Sequence, residues 1–207
     1  MSGIWVTVVL YVHFNGKNVS GVTSDLSALQ SQPQLSTDSA VQKLLSVNLP
    51  DSVEVNHLEV GKGRSGAKLS DFTGIVIHYT GDSGSDATER REVYLGGEVS
   101  AHFVVGFDGK TQMCLPLDEQ ANIVGGRNSD TISIEYCHNS VDGLMEDETY
   151  EALVDLCATL LKASGKGTDY LLRHYDINKS ADCPPYYITH TEKWDEFKSD
   201  VEAKMQK

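Results

Sequence analysis

The chain has 207 residues, with 17 Lys+Arg against 30 Asp+Glu and a formal net charge of -13. That length allows one domain with its own core plus an appendage, and an acidic balance without any Lys/Arg cluster excludes a surface that tracks nucleic-acid phosphates. Four cysteines, Cys114, Cys137, Cys157 and Cys183, are too sparse for a disulfide scaffold and say nothing of the redox compartment.

Residues 4–14 form an apolar run (IWVTVVLYVHF), well short of the roughly 20 residues that span a bilayer. Two readings stand level: the remnant of a signal peptide or membrane anchor, or a buried or edge strand with a structural His13. Residues 15–50 turn to Ser, Gln, Asn, Asp and Thr, which fits a linker unable to bury enough surface to order itself. One short helix over residues 40–47 interrupts it, capped from Ser36-Thr37-Asp38, with Val41, Leu44 and Leu45 as its apolar stripe. The expected organisation is an N-terminal segment and linker over 1–51 and a compact domain over 52–207. The Gly-rich stretch at 61–66 lacks the strand and Gly-Lys-Ser/Thr of a phosphate loop.

The domain then alternates elements. Strands are predicted over 75–80, 101–105, 112–115 and 131–137, and a helix over 86–95 started by Ser85 or Asp86. A second helix over 147–163 carries Tyr150, Leu153, Val154, Cys157, Leu160 and Leu161 at helical spacing, with Gly165 after it. A last amphipathic helix over 192–205 presents Trp194, Phe197 and Val201 on one side. Interleaved strands and helices of this kind point to an α/β fold, a mixed central sheet flanked by helices, and a monomer is expected.

The chemistry is concentrated in Arg173-His174-Tyr175-Asp176-Ile177-Asn178-Lys179-Ser180-Ala181-Asp182-Cys183-Pro184. His174 and Cys183 lie nine positions apart on an irregular connection, and both are good ligands for a first-row metal. The best third ligand is His78, at the end of the run Gly74-Ile75-Val76-Ile77-His78. Three protein ligands leave a fourth position for water, whose pKa a zinc ion lowers to about 7. Strand alternation puts Val76, His78 and Thr80 on one face, and in 131–137 it puts Thr131, Ser133, Glu135 and Cys137 together. A carboxylate inside such a run is costly to bury without a partner, so Glu135 is expected beside the metal as the group that moves the water's proton.

Five blocks follow one another in the order of a known family: residues 74–81 (GIVIHYTG), 100–109 (SAHFVVGFDG), 116–119 (PLDE), 128–135 (NSDTISIE) and 173–184. The chain resembles the zinc-dependent N-acetylmuramoyl-L-alanine amidases, which include bacteriophage lysins and the peptidoglycan recognition proteins, over residues 58–201. The resemblance implies a Zn2+ held by His78, His174 and Cys183, with Glu135 as base. It also implies hydrolysis of the amide between N-acetylmuramic acid and the L-alanine of the peptidoglycan stem peptide, outside the cell or at the wall, or in a phage lysin made in the cytoplasm. Many members carry a Lys two positions before the last ligand. Here Ala181 stands there, which leaves Lys179, His102 or the zinc alone to stabilise the oxyanion.

Two rival functions remain. Some relatives bind peptidoglycan without cutting it, although Cys183 and Glu135 would be superfluous in a pure receptor. A cysteine peptidase built on Cys183 and His174 is disfavoured because a nucleophile is better placed at a helix N-terminus, and Pro184-Pro185 is read as no helix start. His102 is read as equally a hydrogen-bond donor behind the site, His57 and His190 as solvent-exposed, and Tyr186, Tyr187 and Trp194 as packing residues.

Overall fold

The computed structural model describes residues 39–207, so the apolar run at 4–14 and most of the expected linker lie outside the described residues. Among the described residues six strands form one sheet: β1 (Val53–Val55), β2 (Gly74–Tyr79), β3 (Phe103–Val105), β4 (Thr111–Met113), β5 (Thr131–Tyr136) and β6 (Leu171–Arg173), in the order β1-β4-β3-β5-β2-β6. The β3–β4 pair is antiparallel, closed by the turn in which the Gly106 N–H donates to the Lys110 carbonyl. The other neighbouring pairs are parallel. β2 is flanked on both edges, by β5 and β6, which is why its sequence is apolar at nearly every position rather than alternating.

Helices cover both faces. On one side α1 (Ala40–Leu45), α3 (Asp147–Ser164) and α6 (Thr191–Met205) build the larger core, where Leu153, Cys157, Leu160 and Leu161 of α3 meet Ile75, Ile77, Ile132 and Ile134 of the sheet and Trp194, Phe197 and Val201 of α6. α3 ends where Gly165 takes the left-handed conformation (φ 71°, ψ 29°) that glycine adopts without strain. On the other side α2 (Ala87–Gly96) covers a smaller cluster containing Ala87, Tyr94, Val104, Cys114 and Cys137. Asp86 caps α2 in a reciprocal box with Glu89, satisfying two of the free N–H groups at that end. Two short helices, α4 (His174–Ile177) and α5 (Pro185–Thr189), follow β6. Among the described residues no helix is long and apolar enough to cross a membrane.

The helix expected over 40–47 forms at Ala40–Leu45, with Val41 and Leu44 fully buried in the main core. Two expectations are corrected. The cap of α1 is Ser39, whose Oγ accepts from the Gln42 N–H, and Leu45 is half-exposed rather than part of the stripe. A helix does start after Cys183, with Pro185 at its first position, where the missing N–H costs nothing and the fixed φ suits the helix. β1 was not expected, because a three-residue strand on the sheet edge carries too few residues to display a period.

Candidate metal centre

β5, β2 and β6 lie side by side and parallel, so their carboxyl ends emerge at one edge of the sheet, where open α/β folds put their ligand sites. His78 is the penultimate residue of β2, Glu135 the penultimate residue of β5, and His174 directly follows β6. The chain then loops away and returns, the Tyr175 N–H donating to the Cys183 carbonyl at 2.9 Å. That single bond brings position 183 back alongside position 174.

The result is a cluster of three ligand atoms, one each from His78, His174 and Cys183, all within 4.8 Å of one another. Cys183 Sγ lies 3.7 Å from His78 Nδ1, and the two imidazole rings stand 4.8 Å apart between centroids. Tetrahedral zinc with bonds of about 2.0–2.3 Å asks for roughly 3.3–3.6 Å between ligand atoms, so the sulfur and His78 stand close to that spacing. The His78 ring is 1 % exposed, and it has no hydrogen-bond partner among the described residues beyond the thiol. An imidazole so buried and so poorly satisfied fits a ligand better than a structural side chain.

Electrostatics agree with that fit. Burial, and then the neighbouring His174, hold the His78 imidazolium pKa well below its usual value, and burial lowers that of His174; both rings are therefore neutral, as ligands must be. Burial pushes the Cys183 thiol up to about 12, with the Glu135 charge adding to it. Such a thiol is no free nucleophile, which argues against a cysteine peptidase more directly than the proline argument did. A divalent cation reverses the balance by stabilising the thiolate.

Glu135 is buried, at 2 % exposure, on the same face as His78, but its compensating cation is a guanidinium. Arg90 Nε donates to Oε2 at 2.7 Å and Arg90 Nη2 to Oε1 at 3.0 Å, while the Tyr94 hydroxyl donates to Oε2. The demand that a buried carboxylate find a positive partner was sound; assigning that partner to the metal missed Arg90. Arg90 and Tyr94 are four apart in the predicted helix 86–95 and so share a face, but that spacing does not name Glu135 as what the face meets.

His102 is wholly buried and its ring is used in the scaffold. The Ser133 N–H donates to Nδ1 at 3.0 Å, and Nε2 lies 2.8 Å from the Glu119 carbonyl, so Nε2 carries the proton and no ring atom is left to meet an oxyanion. Lys179 is exposed, its Nζ 3.6 Å from Asp176 Oδ1 and over the Tyr175 ring at 4.2 Å. His57 and His190 are half-buried rather than exposed, His190 stacking on Tyr186. Tyr187 and Trp194 are packed as expected. Sequence reasoning also passed over Arg173, whose guanidinium and backbone N–H clamp Asp176 around His174 and whose Nη1 donates to the Tyr187 carbonyl of α5 at 2.8 Å.

Comparison with known proteins follows the same residues. The N-acetylmuramoyl-L-alanine amidase family matches residues 68–186. The chain belongs to this family. Among its relatives are the N-acetylmuramoyl-L-alanine amidases CwlL of Bacillus licheniformis, 29% identical over 68% of this chain and 43% of that protein, and BlyA of Bacillus subtilis (strain 168), 29% identical over 69% and 44%. The chain thus spans less than half the length of these curated amidases. The solved catalytic domain of XlyA is 25% identical with a TM-score of 0.62, covering 72% of this chain and 98% of that domain. A mutant endolysin from Bacillus subtilis is 26% identical with a TM-score of 0.61, covering 75% and 99%. Both carry the amidase fold described above.

Proposed function

We propose that this chain is a zinc-dependent peptidoglycan hydrolase that cleaves the amide between N-acetylmuramic acid and the L-alanine of the stem peptide. The observation that carries the reading is the convergence of His78, His174 and Cys183 within 4.8 Å in a chain of the amidase family. Two neutral imidazoles and one thiolate would hold the ion and leave it a net positive charge. When bound, zinc acts as a Lewis acid on a carbonyl oxygen and lowers the pKa of water.

Glu135 is the group that moves the proton. As the C–O bond forms at the lactyl carbonyl, its carboxylate takes a proton from the attacking water, and as the C–N bond breaks it returns that proton to the alanine nitrogen. The products are a lactyl carboxylate and a free L-alanine amine. Peptidoglycan lies in the cell wall, so that is where the enzyme acts. The test is digestion of purified sacculi by zinc-loaded protein. New L-alanine N-termini, lost with a chelator and regained with zinc, are expected; tight binding of sacculi without any new amine would make this chain a recognition module instead.

A further inference from the structure

The inference concerns α2 and rests on Glu135 as the proton carrier. A carboxylate offers about four lone-pair sites on its two oxygens. Three are occupied here: Oε2 accepts from Arg90 Nε and from the Tyr94 hydroxyl, and Oε1 accepts from Arg90 Nη2. What is left is one lone pair on Oε1, so the carboxylate can neither rotate nor choose which oxygen it presents.

The scaffold behind this grip is itself fixed. The Asp86–Glu89 box sets the start of α2. Arg91, the next residue, points the other way and donates from Nε to the Asn56 carbonyl at 2.8 Å and from Nη2 to the His57 carbonyl at 3.2 Å, tying the helix to the segment after β1. Arg90 Nη1 reaches Asp82 Oδ1, in the loop after β2, at 3.5 Å. At Gly63 the chain passes so close to the Tyr94 carbonyl that any Cβ would overlap it, so that residue 63 has to be glycine for Tyr94 to sit where it does. Arg90 is mostly covered, at 15 % side-chain exposure, which makes a merely solvated surface pair an inadequate description.

We propose that Arg90 and Tyr94 are positioning residues, a two-point clamp that orients the Glu135 carboxylate so that one lone pair of Oε1 faces the reacting water. Bidentate guanidinium contact fixes the carboxylate plane, which a lysine point charge cannot do. Both act through Glu135, so their effect is expected in turnover rather than in binding.

The experiment measures kcat and KM of the zinc-loaded protein on a soluble N-acetylmuramoyl-L-alanyl peptide for Arg90→Met, Arg90→Lys, Tyr94→Phe, Glu135→Gln and the Arg90→Met/Glu135→Gln pair. Misplacing a reacting group by about 1 Å costs on the order of 100-fold. Arg90→Met is therefore expected to lose about that factor in kcat with KM and zinc content unchanged, Arg90→Lys to recover only part of it, and Tyr94→Phe, which removes one hydroxyl and spares the fold, to lose about 10-fold. In the Glu135→Gln background Arg90→Met should cost nothing further. Unchanged kcat in both Tyr94→Phe and Arg90→Met, or an equal loss from Arg90→Met with and without the glutamate, overturns the clamp while leaving Glu135 as base. Full turnover by Glu135→Gln overturns the role of Glu135 itself, and the clamp with it.

Discussion

His78 and Glu135 occupy the same register position on adjacent parallel strands, Cα partner to Cα partner across β2 and β5. In parallel pairing, residues at one level point to one face, so the ligand and the carboxylate are set side by side by the sheet and not by a loop. Their roles nonetheless separate cleanly. His78→Ala or Cys183→Ser removes one of three ligands and is expected to abolish stoichiometric zinc and activity together. Glu135→Gln keeps the three ligands and is expected to retain zinc while losing roughly 100-fold to 10,000-fold in kcat, the usual worth of a general base. Zinc analysis beside a turnover assay decides it, and a Glu135→Gln protein that lost its metal would mean that the carboxylate supports the ion rather than the proton.

Lys179 lies two residues before Ala181, the position at which many family members carry a lysine, and its amine is exposed and engaged by Asp176 and Tyr175. Exposed pairs of this kind are worth about 1 kcal/mol or less. Lys179→Ala is therefore expected to leave kcat within about fivefold of the parent. A loss of 100-fold or more in the same assay would show that the side chain swings inward during turnover.

His102 predicts an acid-sensitive fold. Its buried ring carries a proton only on Nε2, and burial lowers its pKa from 6.5 to about 4. Between those values the unfolded chain binds a proton that the folded one refuses, so stability present at pH 7 is lost as pH falls through that window. At pH 5 the loss amounts to about 2 kcal/mol. Denaturant unfolding of the parent and of His102→Asn at pH 7 and pH 5 isolates the effect, because other titrating groups are common to both. The parent should lead at pH 7 and its lead should shrink by about 2 kcal/mol at pH 5; a lead that did not change would mean that the ring can be protonated in place.

What could be read without coordinates follows from how each feature is encoded. β2, β5 and α3 announce themselves through long runs of matching period, and Asp86 and Gly165 through cap chemistry, so these elements emerged within a residue or two. The ligand trio was legible because His174 and Cys183 are close in sequence and His78 ends an apolar strand. Partners across elements were not legible. Nothing local to Glu135 names Arg90, forty-five positions away, and nothing local to His102 says that Ser133 and Glu119 will take both its nitrogens. α1 was legible from Val41 and Leu44 at helical spacing, but not its cap at Ser39 or the exposure of Leu45, which depend on how the helix meets α3.

The burial of α1 has a measurable consequence. Leu44 is fully buried against the main cluster, and a buried leucine truncated to alanine costs about 2–5 kcal/mol through lost transfer energy and the cavity left behind. A linker residue would cost nothing. Leu44→Ala is expected to lower the unfolding free energy by that amount with kcat unaltered, and an unfolding curve superimposable on the parent's would return residues 40–45 to the linker.

The turn that carries His174 is held from both sides by Arg173. Its backbone N–H and Nε donate to Asp176 Oδ2 at 2.9 and 3.0 Å and its Nη2 to Oδ1 at 2.7 Å, closing the turn, while Nη1 ties it to the Tyr187 carbonyl in the helix that follows Cys183. One guanidinium therefore links the segments that bear two of the three ligands. Groups that orient ligands without touching the metal are worth about 10- to 100-fold in metal affinity. Arg173→Met is expected to weaken zinc binding by about 10-fold in a chelator competition, with Lys179→Ala as the control that disturbs the same Asp176 without opening the turn. Equal zinc affinity in parent and Arg173→Met would mean that the Tyr175–Cys183 backbone bond suffices to hold the two ligands together.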